Sequence, residues 1–188
     1  MNYKHNRVFI TGIGAVSTFG AGSNALWQGC LDGEPRYKTI PAHWKKISAF
    51  NSDIYSPLPE INYSDYLLSR VEQLHYDIAV LNIFIACDEA IQNAGLSVNV
   101  ACKKTNQLSI SEISNPYDAG AFIGTGNGGV NSLLGNYRHF ILNKMITENS
   151  EQFPPDLREM LNVPTRLNKF VTARGMPNAA AAGVGIKY

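Results

Sequence analysis

The chain has 188 residues, a formal net charge of +1, a charged fraction of 16% and an apolar fraction of 45%. This balance is typical of a globular domain that buries much of its surface, and it lacks the excess charge of a nucleic-acid-binding protein. The three cysteines, Cys30, Cys87 and Cys102, are too few and too far apart for a disulfide framework or a metal site. The polar N-terminus and the absence of an apolar run near ~20 residues predict neither a secretory signal nor a membrane span. We therefore expect a cytoplasmic protein with reduced thiols.

The first third of the chain predicts one strand, one short helix and a long irregular excursion. Residues 7–17, RVFITGIGAVS, predict a strand at Val8–Ile10 that is covered on both faces and ends in a glycine turn. A short helix is predicted over residues 25–31. Residues 35–63 carry several prolines and aromatic residues without a sustained periodicity. This pattern predicts an ordered, loop-rich excursion and not a flexible linker.

The remaining two thirds predict helices and one further strand. The strongest helical pattern lies at residues 76–93, where apolar side chains three or four positions apart cover a broad surface. Residues 119–123 predict a second buried strand, which ends in the glycine-rich turn GTGNGG at residues 124–129. Another helix is predicted over residues 132–147. The alanine-rich segment at residues 177–186 predicts a helix that packs closely against its neighbours.

The order of these elements predicts an α/β fold with a mostly parallel sheet. Only two strands are clear, and a two-stranded parallel sheet with hydrophobic strands needs further strands to complete it. The sequence therefore predicts an incomplete fold whose sheet is completed by another chain.

The turn GTGNGG matches the nucleotide-binding pattern G-x-G-x-x-G through Gly124, Gly126 and Gly129. Glu148 lies about 20 residues further on, where an acid that binds ribose would be sought, so a nucleotide-binding oxidoreductase domain is an alternative. Glu148 lies in a polar segment, however, and not at the end of a second parallel strand. We therefore favour a structural role, in which these glycines permit a tight turn and the close approach of a helix.

Residues suited to catalysis or metal binding do not cluster along the sequence. The four histidines, His5, His43, His75 and His139, neither lie four residues apart nor pair with cysteines or acids in a ligand pattern. No serine-nucleophile motif is present. The residues themselves thus predict a scaffold with no catalytic residue, no cofactor and no metal.

Five segments, in order, resemble the N-terminal half of the elongating β-ketoacyl-[acyl carrier protein] synthases, which share the thiolase-like fold. The family patterns are the opening strand and glycine turn, W-x-x-L-x-x-G, the helix before A-G-L, G-T-G-x-G-G, and N-M-x-A-G-x-x-x-I. They are matched here by residues 7–20, 25–34, 76–96, 120–130 and 177–188. The resemblance implies that residues 1–188 form the N-terminal part of a β-ketoacyl synthase-like domain.

The family's nucleophilic cysteine and two histidines follow the last matched segment, and this chain ends at Tyr188, before all three. The resemblance therefore implies that the chain holds no catalytic residue, and its three cysteines do not match the nucleophile's position. The resemblance also implies that Met176, Asn178 and Ala179 lie near the acyl pocket and the dimer interface. Ordinary core packing is the alternative role of these three residues.

The leading hypothesis is a non-catalytic half of a ketosynthase or chain-length-factor subunit in a type II polyketide or fatty-acid condensing complex. Such a complex joins acyl and malonyl thioesters by decarboxylative Claisen condensation. The implied partners are the C-terminal half of the same subunit as a separate chain, a ketosynthase partner subunit in a heterodimer or larger assembly, and acyl carrier protein. No nucleic-acid or membrane partner is expected.

Two alternatives complete the hypotheses. The chain is the N-terminal half of a catalytic ketosynthase whose cysteine and two histidines lie in a second chain, or it is a stand-alone interaction module that retains part of the fold. Thr18 replaces a proline of the family pattern, and residues 179–182 are all alanine. These departures from the fatty-acid enzymes favour the chain-length-factor role slightly.

Overall fold

The structure is a computed structural model that describes residues 7–42, 45, 51–126, 128–148, 151 and 170–188. Within these residues the helices are α1 Ser23–Asp32, α2 Arg70–His75, α3 Ile78–Asn93, α4 Val130–Glu148, α5 Val171–Gly175 and α6 Ala179–Lys187. The strands are β1 Val16–Ser17, β2 Gly20–Ala21, β3 Lys38–Thr39, β4 Ile54–Tyr55, β5 Val98–Cys102 and β6 Gln107–Ile110. The chain forms two compact units, which are unit 1 (residues 1–68 and 82–114) and unit 2 (residues 69–81 and 115–188).

The strands of the described residues pair two by two and antiparallel: β1 with β2, β3 with β4, and β5 with β6. The β5–β6 pair is the longest, and it places Val98 opposite Ile110 with an irregularity between Val100 and Cys102. The mostly parallel sheet predicted from the sequence is therefore wrong for this part of the chain.

Neither of the two predicted buried strands is a strand in the structure. Residues 7–15 and 119–125 join no β-ladder among the described residues. Val8 is 93% exposed, and Phe122 is 98% exposed. A strand of a parallel sheet requires a neighbour to satisfy its N–H and C=O groups, and neither segment pairs with any described strand. The residue pattern is strand-like, but the described residues supply no paired strand for it.

Unit 1 is built on the part of α3 that follows Leu81. The fully buried side chain in this unit is Phe84, and Ile85 beside it is 3% exposed. Leu68 and Leu108 are also buried. The helix ends at Asn93, and Gly95 just beyond it has a φ of +70° and an N–H that bonds back to the carbonyl of Gln92. The predicted helix at residues 76–93 is thereby confirmed within two residues at its start.

The glycine turn after the first segment lies directly on the backbone of α3. A Cβ atom on Gly12 would lie 1.9 Å from the carbonyl oxygen of Ala90, and one on Gly14 would lie 1.9 Å from that of Ala86. Asn93 donates a hydrogen bond to the Ile13 carbonyl at 2.7 Å. The two glycines are therefore needed for this close approach, because any side chain would separate the turn from the helix.

In the described part of the excursion predicted at residues 35–63, the structure has the β3–β4 pair, helical residues at Ala42 and Lys45, and the start of a 3₁₀ helix at Tyr63–Asp65. The Ile40 N–H bonds to the Asp53 carbonyl at 2.9 Å, which continues that pair. Residues 43, 44 and 46–50 of the excursion lie outside the described residues. Among the helices that are described, none is long and apolar enough to cross a membrane.

Candidate functional site

The three predicted site residues lie together at the start of α6, in unit 2. Asn178 precedes the helix, and its side chain makes no capping hydrogen bond. The N–H of Ala179 bonds to the carbonyl of Met176 at 3.0 Å, which closes the turn between α5 and α6. Met176 and Asn178 are exposed and Ala179 is half-buried. The structure thus places all three on one turn, and their role at an acyl pocket stays a prediction.

The glycine-rich turn packs against the segment that leads to these residues. A Cβ atom on Gly129 would lie 2.1 Å from the carbonyl oxygen of Arg174, and one on Gly128 would lie 2.9 Å from that of Met176. Gly129 also has a φ of +59°, which disfavours residues with a side chain. Gly124 and Gly126 have open space at the Cβ position. The predicted close approach is therefore confirmed at the end of the turn, where α4 begins.

The alternative of a dinucleotide site is not supported by the position of Glu148. This residue is the last of α4, a helix of 19 residues that begins directly after Gly129. At 1.5 Å rise per residue, the carboxylate lies about 27 Å from the glycine turn along the helix axis. Its described ion-pair partner is Lys144, at 3.8 Å. The acid therefore lies too far from the turn to bind the ribose of a nucleotide held there.

A buried acid ties together the starts of two helices in unit 2. Asp77 is 5% exposed, and its carboxylate accepts the N–H of Ala79 at 3.1 Å and the hydroxyl of Ser132 at 2.5 Å. The first bond caps α3 and the second holds the first turn of α4. Ser132 and Asp77 were not predicted from the sequence. The position of Asp77 immediately before a long apolar helix was a local signal for the cap. Its second partner, Ser132, lies 55 residues away, and no local signal predicts that bond.

Arg174 connects α5 to the end of α2. Its Nε donates to the carbonyl of His75 at 2.6 Å. Burial lowers the pKa of Arg174, and the charge of Asp77 partly opposes this shift. The His75 ring lies 4.5 Å from the Phe170 ring, tilted by 54°. These contacts fix the segment that precedes the candidate site residues, and they give His75 a packing role.

The structure describes the three cysteines and, among the remaining histidines, the backbone of His139. His5 and His43 lie outside the described residues, and His139 lies in α4. Burial, with a smaller effect of Asp88, raises the pKa of the Cys87 thiol. Hydrogen bonds from the side chain and N–H of Thr105 and from the N–H of Lys104 lower the pKa of Cys102, the last residue of β5. Within the described part of the chain, no group of three or more His, Cys, Asp or Glu residues could hold a metal ion.

A buried ion pair in unit 2 was missed by the sequence analysis. Lys187 Nζ lies 2.9 Å from Oε1 of Glu72. The Glu72 end carried a signal, because Ser69 and Glu72 have the S-x-x-E spacing of a capping box. The Lys187 end carried none, since a lysine near the end of a helix is normally solvated.

The comparisons with known proteins agree with this fold. The model of the β-ketoacyl synthase N-terminal domain matches residues 5–187. A solved β-ketoacyl synthase from Burkholderia phymatum STM815 is similar in structure, with a TM-score of 0.59 and 19% sequence identity over 95% of this chain and 36% of that one. No curated protein matches the chain in sequence.

The fold is therefore that of the N-terminal part of a thiolase-like ketosynthase. The chain belongs to the β-ketoacyl synthase N-terminal domain family, because the family model covers nearly its whole length. It spans about a third of the length of the solved relative. The resemblance inferred from the five sequence segments is confirmed.

Proposed function

We propose that the chain is a non-catalytic half of a ketosynthase or chain-length-factor subunit in a type II polyketide or fatty-acid condensing complex. In this proposal the C-terminal half of the subunit, as a separate chain, completes the sheet. A ketosynthase partner subunit and acyl carrier protein are the further partners. The chain itself shapes the acyl pocket and the dimer interface through Met176, Asn178 and Ala179.

The observation that carries the proposal is the exposure of the first strand-like segment. Val8, Phe9 and Ile10 are consecutive, and they are 93%, 74% and 87% exposed. Burying a side chain of this size stabilises a protein by roughly 1.5–3 kcal/mol. The segment's backbone also joins no ladder among the described strands, so its N–H and C=O groups are a template for pairing. A strand from a polypeptide of the same fold class would satisfy both needs.

The second strand-like segment supports the same proposal independently, within unit 2. Phe122 is 98% exposed, and Tyr117 just before the segment is 95% exposed. The family match covers this segment as well as the first. Large apolar side chains grouped at the surface mark interaction sites more often than isolated ones do.

Co-expression with a C-terminal β-ketoacyl synthase half from the same source tests the proposal. Size-exclusion chromatography with mass measurement is expected to show a complex of the two chains. Phe9→Asp should abolish the complex, because it would bury an unpaired charge in the new sheet. Leu58→Asp is the matched control, since Leu58 is also exposed, at 47%, but lies in the irregular excursion. A monomer of 20.6 kDa that binds no such half, or equal loss with both variants, would contradict the proposal.

The complex also distinguishes the non-catalytic proposal from the alternative of a catalytic ketosynthase. After incubation with an acyl thioester, intact mass spectrometry reports which chain carries a covalent acyl group. A chain-length-factor subunit acquires none, whereas a catalytic subunit is acylated on the nucleophilic cysteine of its C-terminal half. An acyl group on Cys30, Cys87 or Cys102 of the present chain would contradict both versions.

A further inference from the structure

The buried ion pair of unit 2 joins residues 115 positions apart in the sequence. Lys187 is the last residue of α6 and Glu72 lies in α2, and the two are 3% and 7% exposed. A charge this deeply buried is strongly unfavourable unless an opposite charge neutralises it. The helices α6 and α2 are therefore restricted to arrangements in which Nζ of Lys187 reaches the carboxylate of Glu72.

The carboxylate of Glu72 is held in place by its own helix. Its Oε2 accepts the N–H of Ser69 at 2.7 Å, while the Ser69 hydroxyl accepts the N–H of Glu72 at 3.1 Å. This reciprocal capping box leaves Oε1 directed at Lys187. The carboxylate cannot turn toward a displaced lysine without breaking the cap of α2, so it is a fixed acceptor.

The buried face of α6 offers little else to define its position. Its buried residues are Ala180, Gly183 and Lys187, which are spaced three and four apart and so share one face. Among them only Lys187 has a polar side chain. Residues 179–182 are all alanine, so a helix turned by one residue or moved along its axis presents nearly the same small surface. Apolar packing alone therefore discriminates weakly between registers.

We propose that the Glu72–Lys187 pair is a positioning device that sets the register of α6 in unit 2. A helix displaced by one turn moves by about 5.4 Å, and it would bury the ammonium away from its partner. Such a shift would carry Asn178 and Ala179 along with the helix. The register itself follows from the geometry of unit 2, whereas its consequence for the acyl pocket rests on the proposed function.

The test replaces both charges together. Removing only one charge would leave the other buried and unpaired, and the effect of that unpaired charge could not be separated from a change of register. Glu72→Gln with Lys187→Met removes both charges, while the glutamine still accepts the Ser69 N–H and so keeps the capping box of α2. Nitroxide labels at Leu74→Cys and Ile186→Cys, both 63% exposed, report the distance between α2 and α6 by electron paramagnetic resonance. The chain is used in the assembly in which it purifies, with its three native cysteines replaced by alanine.

The parent chain is expected to give one narrow distance distribution. The double variant should keep its helical circular dichroism but show a second population displaced by about 5 Å, the length of one turn. The control is Lys144→Met with Glu148→Leu, which removes an exposed ion pair of α4 and should leave one population.

A single unchanged distribution in the folded double variant would overturn the proposal. Should that variant fail to fold, Glu72→Gln with Lys187→Ala also removes both charges and makes the buried face of α6 small throughout, and an unchanged distribution in it would be equally decisive. The distances do not depend on condensing activity. A complex without activity but with the expected distances would therefore contradict the proposed function and leave the register assignment intact.

Discussion

At the scale of single residues, Gly129 lies against the backbone of Arg174 at the start of α4. Its φ of +59° is one that residues with a Cβ atom rarely adopt. A Cβ atom there would also lie 2.1 Å from a carbonyl oxygen, which is inside contact distance. The glycine therefore sets how closely α4 approaches the segment before the candidate site.

Gly129→Ala is expected to lower the free energy of unfolding by at least about 1–3 kcal/mol, the cost of the backbone conformation alone. Gly135→Ala is the matched control, since Gly135 lies inside α4 with open space at its Cβ position. That change should raise the free energy of unfolding by about 0.5–1 kcal/mol. Urea denaturation followed by circular dichroism measures both. Equal effects at the two positions would contradict this description of the turn.

At the scale of elements, Glu89 connects α3 to the start of the chain within unit 1. Its Oε1 accepts both the N–H and the hydroxyl of Ser23 at 2.7 Å, and its Oε2 accepts the N–H of Ala15 at 2.9 Å. One carboxylate thus holds the first turn of α1 and the residue before β1. These bonds explain how the start of α1 and the segment that leads into the two-residue strand β1 are held against α3.

The hydrogen bonds of Glu89 predict a dependence of stability on pH. Burial disfavours the carboxylate, but the bonds from Ser23 and Ala15 outweigh it and lower the pKa of Glu89 from its ordinary value of 4.5. Because the folded pKa is depressed, the stabilisation is present above pH 4.5 and is lost as the pH falls through the folded pKa.

Glu89→Gln is therefore expected to be less stable than the parent chain at pH 7, and the difference should shrink below pH 4.5. Urea denaturation of both proteins across this range measures the difference. Glu112 accepts the N–H of Ser97 in an exposed turn and also has a lowered pKa, so Glu112→Gln should show a pH dependence of the same sign. A difference for Glu89→Gln that is constant with pH would show that the carboxylate charge contributes nothing.

At the scale of the whole molecule, the exposed strand-like segments support the proposed assembly with another chain. Such an assembly would place α6 inside a larger protein, and the half-buried Ala179 near its acyl pocket. A larger side chain at that position would shorten the space for the acyl group. An exposed position on the same helix would not affect it.

Ala179→Leu in the completed complex is expected to shift the products toward shorter acyl chains. Ala182→Leu is the matched control, because Ala182 is exposed on the same helix. Mass spectrometry of the acyl chains released from acyl carrier protein compares the two. Unchanged chain lengths with Ala179→Leu would assign Ala179 to ordinary packing.

The helices could be predicted from the sequence with small errors. Those predicted over residues 25–31 and 132–147 are observed at Ser23–Asp32 and Val130–Glu148. Helical hydrogen bonds join residues four apart, so the periodicity and the terminating glycines lie within the segment itself. The same is true of the close approach at Gly129, for which the glycine was a local signal.

The sequence by itself determined the family and the main helices. Only the tertiary structure decided the state of Val8–Ile10, because a strand depends on neighbours that the segment cannot specify. The tertiary structure also decided that Lys187 pairs with Glu72, because the two residues are 115 positions apart in the sequence and no local pattern relates them. Helical hydrogen bonds join residues close together in the sequence, so the local residue pattern predicts them. Contacts between distant residues depend on the folded arrangement of the whole chain, so no local pattern predicts them.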